Sequence, residues 1–219
     1  MIQKNIFLTF SFVAFYLSSG AQDTINVADF GLMPDTRENS VRIVQKALEF
    51  SKTKNNTVLI FPKGRYDFWP QYGTEKLYYE FNTDVIPLRR CAIIVEDMKD
   101  LTIDCMGSDF VYHDRIQPFT VDKSRNIIIK TVSIDWDVPL TAQAEIKEVT
   151  DSYIDISINI LESPYTIEKD KLVFLGEGWK SRWNGVMEFD IDTKYVSPRT
   201  GDAGCLGPGY QNYKAHELK

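Results

Sequence analysis

Asp135 and Asp137 flank Trp136 in the run Ser133-Ile-Asp-Trp-Asp-Val-Pro139. On a β-strand, residues two apart point to one side, with Cα atoms roughly 6.5–7 Å apart. Two carboxyls about 6.5–9.5 Å apart can act as general acid and general base across a glycosidic bond, with a water between them. If both acids face one cleft, their repulsion raises one pKa toward the working range of an acid. Any Asp-x-Asp strand has this spacing, so two other roles stay open: binding substrate hydroxyls, and capping the turn before Pro139. Trp136 alternates to the opposite side, which places it toward the core.

A second group lies downstream. Glu177, Trp179, Trp183, Glu188 and Asp190 mix acids with indoles. An indole offers a flat apolar face to a hexose while carboxylates take its hydroxyls. Trp179, Trp183 and Glu188 therefore join Asp135 and Asp137 as candidate substrate-binding residues, with packing inside their own domain as the alternative. Asp84 is a further acid of this kind, and Arg89-Arg90 reads as a solvated edge or a hydroxyl-binding pair. His113 and His216 are the two histidines, and neither sits in a recognisable triad. No Cys or His has zinc-ligand spacing, so no metal site is expected.

The elements that must hold these residues show a repeat. Val121, Asp122, Arg125, Asn126, Ile127, Ile129 and Trp136 answer Val95, Glu96, Lys99, Asp100, Leu101, Ile103 and Phe110, 26 positions earlier. A fixed period of 20–50 residues marks a solenoid. Two coils are expected, at Cys91–Gln117 and Pro118–Pro139, with short β-branched runs suited to stacked parallel strands. Ahead of them, Ile25–Gly31 reads as a short strand and turn. Asn39-Ser40 offers an N-cap, and Val41, Val44 and Leu48 form the apolar stripe of a helix to about Phe50. Thr57–Pro62 reads as a strand. Strand, helix and strand would cap the first coil, which otherwise exposes an apolar end and unpaired edges. Asp67–Arg90, rich in aromatic residues, reads as a long loop.

After Pro139 the 26-residue phase is lost. Ala142–Val149, Tyr153–Ile160, Lys171–Leu175 and Gly185–Asp190 alternate between turn residues, as antiparallel meander strands do. The expected fold is mostly β: a right-handed parallel β-helix solenoid with an N-terminal capping helix and a small inserted antiparallel β-barrel. The divisions are a signal peptide over 1–21, cap and first coils over 22–139, the insert over 140–200, and a start of return to the solenoid over 201–219. One irregular coil with long turns is the alternative for the insert.

Residues 1–21 combine Lys4, an apolar stretch from Ile6 to Leu17 and the small-x-small site Ser19-Gly20-Ala21, which is the pattern of a signal peptide. The protein is expected to be exported to the periplasm or beyond, with no membrane span after cleavage. Removing Lys4 with this segment takes the net charge from −6 to about −7. That balance argues against nucleic acid and anionic membranes as partners, and it favours neutral glycans over acidic ones. Cys91, Cys105 and Cys205 are an odd set, read as buried thiols rather than a disulfide framework.

Asp29-Phe-Gly31, Gln45-Lys-Ala-Leu48 and Phe61-Pro-Lys-Gly-Arg-Tyr66 resemble the N-terminal region of the pectin-lyase-like β-helix superfamily. A sharper set resembles glycoside hydrolase family 110, exported bacterial α-1,3-galactosidases. It comprises Phe61–Pro70, Asn82–Asp84, Leu101–Asp104, Ser133–Pro139, Gly176–Trp179 and Met187–Asp190. The resemblance implies a β-helix interrupted by small barrels, inverting removal of terminal α-linked galactose from neutral glycans, and no cofactor. Members of that family are several hundred residues long, with catalytic carboxylates on later coils. The chain is therefore expected to be an N-terminal piece, and no catalytic residue carries over; Asp135 and Asp137 are the weak candidates. A non-catalytic sugar-binding or structural β-helix is the competing reading. A polysaccharide lyase fits less well, because no acidic Ca²⁺-type cluster with a basic partner is evident. Oligomeric state is not legible.

Overall fold

The computed structural model describes residues 22–78, 88–183, 187–196, 214, 215 and 217. The signal-like segment, Asp84, Cys205 and His216 lie outside them, as does most of the 201–219 tail.

Strands β1 (Asp23–Asn26), β2 (Thr57–Ile60), β3 (Arg65–Phe68), β6 (Lys99–Tyr112) and β8 (Arg125–Trp136) form one sheet. Its pairings are all parallel: β1 on β2, β2 and β3 on β6, β6 on β8. Helix α1 (Val41–Ser51) lies between β1 and β2 in sequence and buries Val41, Val44, Ala47 and Leu48. Its first turn is held by Asn39, whose Oδ1 accepts from Val41 N at 3.2 Å and Trp69 N at 3.3 Å. The cap thus also ties the helix to the strand layer.

A second sheet runs β4 (Thr74–Leu77), β5 (Leu88–Glu96), β7 (Gln117–Asp122). β5 and β7 pair in parallel, but β4 pairs antiparallel with the start of β5. This corrects the expectation of a loop over Asp67–Arg90. Part of that segment is a ladder with Lys76 bonded to Glu96 at 2.7 Å.

The repeat is visible in the register. Val95 pairs with Val121, Lys99 with Arg125, Leu101 with Ile127 and Ile103 with Ile129. Asn126 also donates to Asp100 at 2.8 Å. The equation of Trp136 with Phe110 is wrong. A shift between Asp104 and Ser108 pairs Phe110 with Ile134 and Tyr112 with Trp136. Met106 and Gly107, both at positive φ, are the residues that absorb it.

Rings stack along the parallel strands because in-register side chains sit on adjacent rungs. Phe68 and Tyr112 lie 4.9 Å apart and stacked, and Tyr112 and Trp136 lie 5.6 Å apart. Phe61, Tyr66 and Phe110 complete the aromatic core beside Leu59, Leu101 and Ile103. Trp136 is half-buried against this core, on the side opposite both acids, as its alternation requires.

Beyond Pro139 the strands are antiparallel. β9 (Glu145–Val149) pairs with β10 (Ile154–Ser157), and β11 (Tyr165–Glu168), β12 (Lys171–Gly176) and β13 (Trp179–Arg182) form a meander. β11 and β13 were not expected from the sequence, and residues 187–190 contribute one bridge, Phe189 to Val196, rather than a strand. Among the described residues these strands form two separate sheets. Among the described residues of this region, Leu172 and Val173 are the buried apolar ones, so the core they form is small.

Candidate functional site

The parallel strands and the antiparallel region meet at a cluster of charged side chains. The ladder continues one step past its strands: His113 N donates to Phe68 O at 3.0 Å, and Asp137 N to Tyr112 O at 3.1 Å. Trp69, His113 and Asp137 thereby occupy one column, and the Trp69 and His113 rings stack at 3.8 Å with 7° between planes.

Asp67 is the centre of the cluster. Its fully buried carboxylate accepts from Arg65 Nη2 at 2.6 Å and faces His113 Nε2 at 2.9 Å. Burial pushes the Asp67 pKa up, but the bonds from Arg65 and His113 outweigh it and hold the carboxyl below its usual range. The same Arg65 Nη2 reaches Asp137 Oδ1 at 2.7 Å, and Arg37 stands 3.8 Å from both acids. From the other side comes Glu177, at the tip of the β12–β13 hairpin. Its carboxylate lies 2.8 Å from His113 Nδ1 and accepts from Asp114 N at 3.2 Å. Both ring nitrogens of His113 face carboxylates, which only accept when ionised. His113 thus bridges the parallel strands and the hairpin through both ring nitrogens.

The hairpin tip fits closely. Gly178 has φ 76°, and a Cβ there would sit 2.6 Å from Asp114 Oδ2. Trp136 Nε1 donates to Asp114 O at 3.1 Å, so the half-buried indole fixes the same turn from below. Glycine at 178 serves both the backbone conformation and the approach.

The candidates separate. Asp137 and Glu177 belong to the cluster. Asp135 does not: its Oδ1 accepts from Trp136 N at 2.8 Å, a local turn-like bond. Trp179 folds over Gly176, where a Cβ would lie 2.0 Å from the indole, and Arg115 stands 5.3 Å from its ring. Trp183 N donates to Leu172 O at 3.2 Å, continuing the meander. Glu188 is exposed. Arg65, Asp67 and His113 were missed. The signal that could have found them is the ladder itself, once the two-residue register shift aligns 69, 113 and 137.

His113, Asp137 and Glu177 offer ligand atoms within 4.8 Å of one another. Each already has a partner in Arg65, Arg37 or another member, so the donors are committed to ion pairs rather than to a cation. The same closeness bears on catalysis. Oxygens of Asp137 and Glu177 within 4.8 Å leave less room than the roughly 6.5–9.5 Å an inverting pair needs for its water.

The sequence of the antiparallel region matches a described domain: residues 142–219 fit the family "GLAA-B beta-barrel domain I". Over 201 residues the chain is 47% identical to alpha-1,3-galactosidase B of Bacteroides thetaiotaomicron, covering 92% of this chain and 32% of that protein. The chain is thus similar to part of the alpha-1,3-galactosidases over nearly its whole length. Alpha-1,3-galactosidase B of Phocaeicola vulgatus is 35% identical over 212 residues, and alpha-1,3-galactosidase A of Shewanella woodyi is 35% identical over 176. The chain spans about a third of the length of these curated relatives. The galactosidase match runs through parallel and antiparallel strands alike, whereas the barrel family covers the antiparallel side alone.

Proposed function

We propose that the chain serves an exported glycosidase acting on terminal α-1,3-linked galactose of neutral glycans. In this reading residues 22–139 are the cap and opening rungs of a right-handed parallel β-helix, and residues 140–200 are its inserted barrel. The observation that carries the proposal is the 47% identity, spread over 92% of the chain, to a protein named alpha-1,3-galactosidase B. The parallel pairings support the solenoid, and the barrel family supports the insert. The signal-like residues 1–21 support export.

The charged cluster acts in this proposal as a positioning device. It sets the β12–β13 hairpin against the rung ends, which fixes where Asp135, Trp183 and Glu188 can meet a sugar. It does not act as the acid and base, because Arg65 and Arg37 already neutralise Asp137. The test is incubation with α-1,3-galactobiose, followed by NMR, of the chain alone and of the chain fused to the remaining two-thirds of a relative. The fusion is expected to release galactose appearing first as the β anomer, and the chain alone to release none. No release by the folded fusion would overturn the glycosidase reading. The arginine-neutralised acids favour a second reading, sugar binding without cleavage. Disaccharide binding with no galactose released by the fusion would select it.

A further inference from the structure

A second charged feature lies away from the cluster, at the opposite turns of the coils. Ser51, Lys52, Lys54 and Asn55 after α1, Asp97–Lys99 between β5 and β6, and Lys123 and Arg125 between β7 and β8 line a groove of about 360 Å³. Five of its side chains are cationic and one, Asp97, is acidic. Two of the cations are neutralised nearby: Lys52 by Glu49 at 3.1 Å and Lys123 by Asp122 at 3.8 Å. Lys54 stands 5.5 Å from the Phe50 ring. Lys54, Lys99 and Arg125 have no carboxylate partner among the described residues.

The ladder makes this arrangement costly for the free protein. Lys99 and Arg125 are register partners on adjacent parallel strands. Neighbouring strands are about 4.8 Å apart, and like charges placed opposite one another destabilise a sheet. In a chain of net charge −6 such a concentration is local and against the overall balance. An anion held between the two cations would turn the repulsion into attraction. The backbone turns beneath it are already braced, with Ser124 Oγ accepting from Met98 N at 3.0 Å and Arg125 N donating to Met98 O at 3.0 Å.

We propose that this groove is a binding site for a sulfate-class oxyanion, free or carried on a saccharide, with Lys99 and Arg125 as its principal contacts and Lys54 and Lys123 at its rim. The site stands independently of the glycosidase reading and is read out without activity.

The test measures the melting temperature of the whole chain as chloride is replaced by sulfate at constant ionic strength. Titrations with galactose 6-sulfate and with galactose accompany it. At a sulfate concentration ten times its dissociation constant, the folded state gains roughly elevenfold, which is about 3–6 °C. The double variant Lys99→Gln/Arg125→Gln is expected to melt higher than the parent in chloride and to lose the sulfate response. Lys54→Gln/Lys123→Gln is a second variant, expected to weaken the response while keeping the fold. Tighter binding of galactose 6-sulfate than of sulfate identifies a saccharide-borne ligand. Equal binding identifies the free anion. A sulfate response of the same size in both double variants would reveal general salting-out and overturn the proposal. Binding of galactose and its 6-sulfate with equal affinity would also overturn it.

Discussion

The parallel strands and the antiparallel region are held by different means. In the parallel region, in-register rings and aliphatic side chains build one continuous core, from Val27 through Phe110 to the half-buried Trp136. Among the described residues of the antiparallel region, Leu172 and Val173 are the buried apolar ones, and the attachment to the parallel strands is polar, through Glu177, His113 and the close seat of Gly178. A parallel stack gains a new buried layer with each rung. A short meander has one face and a small core, so its orientation depends on what it is docked against.

The largest expected effect breaks the coil side of this contrast. Phe110 is fully buried and touches Phe61, Tyr66 and Phe68. Phe110→Ala should cost about 3–5 kcal/mol, a fall in melting temperature of roughly 6–20 °C by calorimetry. A loss below about 1 kcal/mol would mean that the aromatic stack relaxes freely and is not the main support.

Asp67→Asn comes next, because it strikes the junction of the two regions. The amide keeps the shape but leaves Arg65 and His113 without their shared, buried counter-charge. The expected cost is about 3 kcal/mol by urea unfolding. If it matched an exposed substitution, within about 0.5 kcal/mol, the cluster would be ornamental.

Gly178→Ala sharpens the comparison by touching the docking alone. The added methyl meets Asp114 at 2.6 Å and places alanine at φ 76°. Amide exchange in β12 and β13 should quicken about tenfold or more, as an opening cheaper by ~1.4 kcal/mol requires, while β6 and β8 keep their protection. Equal acceleration in both regions would show that they open as one unit.

The two regions also differed in legibility. The parallel side declared itself through repetition, since Leu101, Ile103, Ile127 and Ile129 recur on paired parallel strands and fill the same layer. What hid the site was a local irregularity. Met106 and Gly107 shift the register by two residues, so a strict 26-residue count sets Trp136 on Phe110 and conceals the column of Trp69, His113 and Asp137. Asp67 and Arg65 were overlooked for another reason. They sit in the Phe61–Tyr66 stretch and its sequel, where a buried aspartate is disguised by its exposed-looking type. Glu177 was noticed beside its tryptophans, but its partner is 64 residues away, and no periodicity links the two regions. In the antiparallel region, β11 and β13 went unread: each is four residues long and borders a turn, at Pro164 and at Glu177-Gly178.

Acid should separate the regions more finely than any single truncation. The Asp67 carboxyl is held below its usual range in the folded chain, so the unfolded chain binds its proton more readily. Stability from this group is therefore fully present above the unfolded value of about 3.9 and is lost as pH falls through the folded value. Asp104, held down to about 2 by Thr131 and Lys130, has the same sign but lies on the outer ladder, where solvent screens its contribution. Glu168, lowered by Lys180 on the meander surface, follows the same direction with still less weight, because it is open to water. Urea midpoints from pH 7 to pH 2 should therefore fall below about pH 4 in the parent chain. In Asp67→Asn the starting value is lower and the fall is shallower, and the two curves draw together toward pH 2. Parallel curves over the whole range would assign the acid sensitivity to other carboxylates and remove Asp67 as the point where the coils hold the hairpin.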